Sequence, residues 1–336
     1  MSPEAAILDQ VDAQRMFETL PARLQLPSLS PAYVAADARR DPGLSATFLA
    51  WRSGTRVLMH AVHESEVPGG RGSDWQSAYG YGGPLAAGLD HDDLAAAWHA
   101  FDAIARARRI VAEFVRFHPL LGNERDYQGE VRADRQAVVL DLVAPDLLGR
   151  YSGRARTAVR KALNDGLALR WEAADDAKAV FPSFYRDGMR QIGASDFYLF
   201  SDEYFAAMLE LPASRVLSVT RDGTRLAMGM FLFGPDVAEY HLSAASTEGR
   251  SSNATNLLLH GAADSARQAG LRSLYLGGGT TSAADNPLLW FKTSYAPANL
   301  TFSIGWRIHD PAAYAQLQSE HPELARSSHR ILFYRN

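Results

Sequence analysis

Arg52-Ser-Gly-Thr-Arg-Val-Leu-Met59 and Arg221-Asp-Gly-Thr-Arg-Leu-Ala-Met228 are two copies of one short pattern, identical at five of eight positions. Each sets a glycine-containing turn between two apolar runs, 46–51 before 57–62 and 216–220 before 226–233, as a β-hairpin requires. A pattern that recurs with the same surroundings marks a duplicated architecture, so each half of the chain is expected to hold the same hairpin. After the second copy, 237–245 reads as a strand and 253–268 as a helix closed by Gly270. The segment 271–276 reads as a strand running into Gly277, Gly278 and Gly279. Then come a short helix at 288–293, an alternating strand at 300–308 and a helix opening on Pro311. Helices at 176–191 and 202–211 precede the hairpin.

The first copy is followed by a thinner series: a strand at 75–81, a helix at 90–108, a strand at 110–117 and a strand at 137–142. A helix over 147–163, stopped by Asn164-Asp165-Gly166, bridges to the second half. The boundary is therefore placed near residue 150, with one half at 1–150 and the other at 151–336.

A chain of 336 residues suits two domains, each able to bury its own core. Its 47% hydrophobic, 21% charged and 10% aromatic residues are those of an ordinary globular protein. With no cysteine, thiolate nucleophiles, disulfides and thiolate metal sites are excluded. Ten histidines show no ligand spacing, so no metal is expected. A formal charge of −4 speaks against a protein that coats nucleic acid, while leaving room for a local basic groove. With no apolar run of membrane-spanning length and acidic residues scattered through the first fourteen positions, a cytoplasmic location is expected.

Five stretches together resemble the Fem transferases and their FemAB-like relatives in the GNAT superfamily. They are Tyr79-Gly-Tyr-Gly-Gly-Pro84, Phe114-Val-Arg-Phe-His-Pro-Leu-Leu-Gly-Asn123, 151–166, 181–205 and 274–295. In the last, Leu-Tyr-Leu-Gly-Gly-Gly is followed after a polar loop by Leu-Leu-Trp-Phe-Lys-Thr-Ser-Tyr, similar to the Fem glycine turn and Phe-Lys pair. The resemblance implies an α/β fold of two tandem GNAT-like halves without the coiled-coil arm. It also implies a substrate channel between the halves and an N-acyltransferase activity, with aminoacyl-tRNA as donor and a peptidoglycan precursor or small biosynthetic amine as acceptor. No cofactor is implied beyond that co-substrate. One alternative keeps the fold and uses acyl-CoA on a small-molecule or saccharide amine; another is a non-catalytic binding protein. CoA-using GNATs carry a glycine-containing pyrophosphate loop, and the matching stretch, Arg250-Ser-Ser-Asn-Ala-Thr255, lacks its glycines.

Site candidates come from the same stretches. The resemblance assigns Lys292 to stabilising the charge that develops on the ester carbonyl and Phe291 to shaping its pocket; an ammonium among apolar neighbours is suited to that work. An exposed lysine at a helix C-terminus is the structural alternative. His118, in Arg116-Phe117-His118 at the end of a strand, has the chemistry of a proton acceptor for the amine, or is a histidine bonded within its loop. Tyr79 and Tyr81, alternating to one strand face, are either acceptor-site or packing tyrosines, and Arg116, in the same stretch as His118, is a further substrate-binding candidate. Tyr240 and Arg190 match acceptor-side positions of the Fem pattern. Arg150, Arg154, Arg156, Arg160 and Lys161 form a run in which 150/154 and 156/160 share helical faces, suited to gripping phosphates or simply to a solvated surface.

Overall fold

The structure is a computed structural model that describes residues 4–335 apart from Ala144, Ala284, Ser328 and His329. In chain order the first elements are β1 (Glu4–Leu8), α1 (Gln10–Glu18), α2 (Pro31–Asp37), β2 (Ser45–Ser53), β3 (Arg56–Glu66), β4 (Ser73–Gln76), β5 (Leu85–Ala87), α3 (His91–Ala107), β6 (Ile110–Arg116) and β7 (Glu130–Asp141). The next are α4 (Leu147–Arg150), α5 (Gly153–Asn164), β8 (Ala168–Trp171), α6 (Ala174–Gln191), α7 (Asp202–Glu210), β9 (Ser214–Arg221), β10 (Thr224–Phe233), β11 (Val237–Ala245), α8 (Thr247–Ser251) and α9 (Ala254–Gln268). The last are β12 (Ser273–Gly278), α10 (Pro287–Lys292), β13 (Ala298–Ile308), α11 (Pro311–Glu320) and α12 (Pro322–Ser327).

The repeated octapeptides are hairpin turns in both places. Ser53 pairs with Arg56 across Gly54 at φ 64, and Arg221 pairs with Thr224 across Asp222 at φ 48 and Gly223 at φ 78. Left-handed backbone at the turn suits the twist of the flanking strands, which is why glycine recurs there.

Contacts divide the chain into two units, Met1–Asp134 with Phe302–Asn336, and Arg135–Thr301. The first has strand order β1-β2-β3-β4-β6-β13, with β5 beside β3; the second has β7-β12-β11-β10-β9-β8. Both follow one plan. Antiparallel pairs β1/β2, β2/β3 and β3/β4 are matched by β8/β9, β9/β10 and β10/β11. A parallel pair comes next in each, β4/β6 and β11/β12, and then an antiparallel one, β6/β13 and β12/β7. The sequence reading, with one boundary near residue 150, is corrected here: the chain changes unit after Asp134 and again after Thr301. The reason is pairing. Ala137–Asp141 of β7 bond to β12, and Ile304–Ile308 of β13 bond to β6, so each unit's sixth strand comes from the half of the sequence that otherwise folds elsewhere.

Other expectations need correction as well. The helix expected over 147–163 is two helices: Tyr151 is extended and Ser152 begins α5 afresh, its Oγ accepting from the Ala155 N–H at 3.2 Å. Arg150 and Arg154 therefore do not share a helical face, whereas Arg156 and Arg160 do. The strand expected over 75–81 ends at Gln76; Tyr79 and Tyr81 sit in the following loop around Gly80 at φ 92 and are not alternating strand residues. The short β1 and β8 and the helices α1 and α2 were not read from the sequence.

The core of the second unit packs α9 against β9 and β10, with Leu217, Phe231, Leu258, Leu274 and Tyr295 buried together. The first unit buries Trp51, Trp75, Trp98 and Phe117. It also buries a carboxylate: burial opposes the charge on Glu113, yet His60 and His309 facing it hold its carboxyl well below the usual range. Among the described residues no helix is long and apolar enough to cross a membrane.

Asn123 fastens the Tyr79–Pro84 loop to the end of β6. Its Nδ2 donates to the carbonyls of Gly82 (3.0 Å) and Pro84 (3.1 Å), and its Oδ1 accepts from the His118 N–H (3.2 Å). All of this is buried, so Asn123→Ala removes three buried hydrogen bonds. The expected loss is roughly 2 to 4 kcal/mol of stability, read as a lower urea midpoint at unchanged slope; a midpoint within experimental error of the parent would show the loop is held by other means.

Candidate active site

The second unit opens where its two parallel strands part. Val237, Ala238 and Glu239 of β11 pair with Ser273, Leu274 and Tyr275 of β12, and the ladder between them ends there. Both strands continue, β11 against β10 as far as Ala245 and β12 against β7 as far as Gly278. Each bends at the parting point. His241 is an extra residue between the pairs Tyr240–Phe231 and Leu242–Met230, and Leu276 is an extra residue before Gly277, which lies at φ 76.

The glycine turn after β12 brings the next segment back to this opening. A Cβ on Gly278 would lie 2.7 Å from the Gln136 carbonyl oxygen, and one on Gly279 would lie 2.5 Å from Asn286 Oδ1, so neither position accepts a side chain. Asn286 anchors the helix beyond the turn. Its buried amide donates to Thr280 Oγ1 (2.9 Å) and Thr281 Oγ1 (3.1 Å), and its Oδ1 accepts from the Leu288 and Leu289 N–H groups, both at 3.1 Å. With Pro287 at its first position, α10 starts at a fixed place and angle.

Lys292, the last residue of α10, then turns inward. It is only 7% exposed, its Nζ donates to the Gly278 carbonyl at 2.7 Å, and it lies 5.8 Å from the centre of the Tyr240 ring. Burial, with no carboxylate among the described residues in support, pushes its ammonium from the ordinary 10.5 down to about 7. The surface-lysine alternative is thereby set aside.

Phe291 is half-buried and meets Tyr295 edge to face at 5.6 Å; Tyr295 meets Tyr151 at 5.0 Å, and Tyr151 meets His260 at 5.8 Å. Asn256 Nδ2 donates to the Tyr295 hydroxyl at 2.9 Å. This ladder of rings ties α10 to the junction between α4 and α5 and to α9. Tyr240 stacks on Phe231 at 5.5 Å and bonds through its hydroxyl to Ser243. Lys292, Phe291 and Tyr240 are thus brought together with Asn286 and Tyr295, which the sequence reading missed. The Asn286-Pro287 pair at the start of an apolar turn was the available signal for the first.

The remaining candidates are divided between the two units. His118, Tyr81, Tyr79 and Arg116 belong to the first unit. His118 is fully buried, its ring 4.5 Å from that of Tyr81, and its Nδ1 accepts from the Leu120 N–H at 3.2 Å. The Tyr79 carbonyl accepts from the Tyr33 hydroxyl at 2.8 Å, and Arg116 lies over Phe114 at 4.9 Å. Arg190 is exposed and paired with Asp187 on its own helix at 2.9 Å. Of the basic run, Arg156 donates to the Gly149 carbonyl at 3.1 Å, Lys161 pairs with Asp165 at 2.8 Å, Arg150 pairs with Asp141 at 3.0 Å, and Arg160 is exposed. Arg154 and Lys161 line an open groove of about 390 Å³ along α5. Among the described residues no group of three or more His, Asp or Glu is placed to hold a metal ion.

Residues 149–307 match the family model described as an acetyltransferase (GNAT) domain. The fold is of the GNAT type in two tandem units, and the domain match supports an acyltransferase. More particularly, the architecture is of the Fem type. The chain is similar to the crystal structure of FemX, with a TM-score of 0.70 at 14% identity over 94% of this chain and 100% of that one. It is also similar to the C-terminal domain of a "Putative Lysylphosphatidylglycerol Synthetase" from Agrobacterium fabrum (TM-score 0.61, 14% identity, 94% and 95% covered). A tandem GNAT protein from the clavulanic acid biosynthesis pathway matches with a TM-score of 0.53 at 12% identity, with 93% and 100% covered. At these identities the likeness is one of fold. No curated protein matches the chain.

The buried lysine has a thermodynamic signature. Between about pH 7 and 10.5 the unfolded chain keeps a proton on Lys292 that the folded protein has released, so stability rises with pH across that window. Below about 7 the cost of burying the charge is felt in full. Lys292→Met is therefore expected to be more stable than the parent at pH 6, with the advantage shrinking steadily toward pH 10.5 in parallel denaturant titrations. An advantage independent of pH would mean Lys292 keeps an ordinary affinity for its proton.

Proposed function

We propose that this enzyme moves an aminoacyl group from aminoacyl-tRNA to an amine, forming an amide. Lys292 carries the reading: a desolvated ammonium set at the mouth between two parted strands, beside Tyr240 and Phe291. The acceptor nitrogen attacks the ester carbonyl and negative charge builds on its oxygen. The carbon–oxygen bond to the tRNA ribose then breaks, and the ribose hydroxyl leaves with the proton that the amine gives up. Lys292 supplies the positive charge the oxygen needs, in surroundings where that charge acts with little screening. Ester to amide is downhill, so no nucleotide triphosphate is required. The resemblance to the Fem enzymes supports a peptidoglycan precursor or a small biosynthetic amine as acceptor, and a cytoplasmic site of action where charged tRNA is found.

The loop before α9 favours this donor over acyl-CoA. It is filled by α8, Ser252 and Asn253, and Asn253 itself takes the left-handed conformation, at φ 61, that glycine would adopt without strain. Acetyl-CoA is accordingly expected to give no binding heat in titration calorimetry. A micromolar dissociation constant would transfer the proposal to acyl-CoA-dependent N-acylation.

Lys292→Met is expected to fold, to bind acceptor and to lose about a hundred- to a thousandfold in turnover. Because the group titrates near 7 and acts as a cation, the ratio of parent to variant turnover falls as pH rises through about 7. Taking the ratio cancels the titration of the acceptor amine. Near-full turnover in the variant would remove Lys292 from the chemistry, and a ratio that climbs with pH would make it a base.

A further inference from the structure

The helix that buries Lys292 turns Trp290 outward. Trp290 is 61% exposed, whereas Trp51, Trp75 and Trp98 are buried and Trp171 and Trp306 are partly so. One face of its ring is covered. The Arg154 guanidinium lies 3.4 Å from the ring centre and is held there by donation from Nη2 to Ser294 Oγ at 2.9 Å. The Ser294 carbonyl in turn accepts from the Ser152 N–H at 2.8 Å, so the start of α5 and the end of α10 are locked together around this pair. With one face capped and so much of the ring still in water, the exposure belongs to the other face and the edges.

Next to this fixed ring runs the groove along α5, lined by Gly153, Arg154, Thr157, Ala158, Lys161 and Asn253. Two cations, a hydroxyl and an amide line it, with no carboxylate among them. Lys161 keeps its exposed partner Asp165 at the far end. A flat aromatic surface backed by a guanidinium, next to a cationic groove, is the chemistry that recognises a nucleotide. The base stacks on the open face of the ring and the phosphate lies against the cations.

We propose that Trp290 and Arg154 form a platform for the adenine nucleotide end of the acyl carrier, with its phosphate seated in the α5 groove. The inference rests on the acyl-transfer reading and deepens it. A charged tRNA ends in adenosine and CoA contains one, so the platform suits the chemistry shared by both carriers. One short helix would thus hold the carrier by its base and meet its acyl group through Lys292.

Intrinsic fluorescence quenching and calorimetry test the platform directly on the full chain, with AMP, CoA and a 5′-phosphorylated RNA trinucleotide ending in CCA as probes. Saturable quenching is expected with AMP and with one of the two carriers; quenching by the RNA identifies a tRNA donor and by CoA a CoA donor. By calorimetry, Trp290→Leu is expected to lose roughly ten- to a hundredfold in affinity for the same probe, and Trp290→Phe to keep most of it. Both variants should melt like the parent, since the ring is exposed. No saturable quenching by any probe, or unchanged affinity in Trp290→Leu, would overturn the proposal. The readout needs no turnover. Binding through Trp290 with Lys292→Met fully active would sink the catalytic reading alone, and Lys292-dependent turnover with binding indifferent to Trp290 would sink the platform alone.

Discussion

Everything distinctive about the second unit depends on a ladder that stops. Parallel strands that stay paired along their length bury their backbone groups and leave no room between them. Here β11 and β12 share three residue pairs and then diverge, each bent by one extra residue. The divergence creates an opening at the carboxyl end of parallel strands, where α/β sheets commonly receive ligands. The glycine turn, the Asn286 anchor and α10 lie on the far side of that opening, and their combined effect is to return one ammonium to it.

Holding that ammonium costs stability. A lysine with no carboxylate partner and one carbonyl acceptor among the described residues is a poor choice for a core. Its surroundings are correspondingly over-determined: the Asn286 amide fixes the start of α10, and the rings of Phe291, Tyr295 and Tyr151 fix its flank. A destabilised group held by a stiff frame is the usual form of a functional site.

The first unit follows the same strand plan and reaches a different end. Its parallel pair β4/β6 also stops, after Gln76 meets Phe114, but an isolated bridge between Gly82 and Phe117 forms beyond it. Asn123 fastens the loop in between, and Tyr81 packs on His118 there. Where one unit keeps a lysine, the other is closed by a buried amide. The duplicated architecture thus carries its desolvated lysine in one copy, with the titratable cluster of Glu113, His60 and His309 buried in the core of the other.

How much of this was legible depends on the range of each interaction. Hairpin turns, helix caps and the order of strands are written locally, so the repeated Arg-x-Gly-Thr-Arg pattern led to both hairpins, and the strand read at 237–245 matches β11 to the residue. The Phe-Lys pair after three glycines pointed to Lys292. What the sequence could not contain was partnership at long range. The exchange of β7 and β13 between units and the loop position of Tyr79 and Tyr81 depend on neighbours far along the chain, and the break at Ser152 on a cap competing with helix continuation. Lys292 shows the division most clearly. Its identity and its place after the turn were determined by the sequence, whereas its burial against Gly278, and with it an ammonium that titrates near 7, was decided by tertiary structure, because only packing removes water.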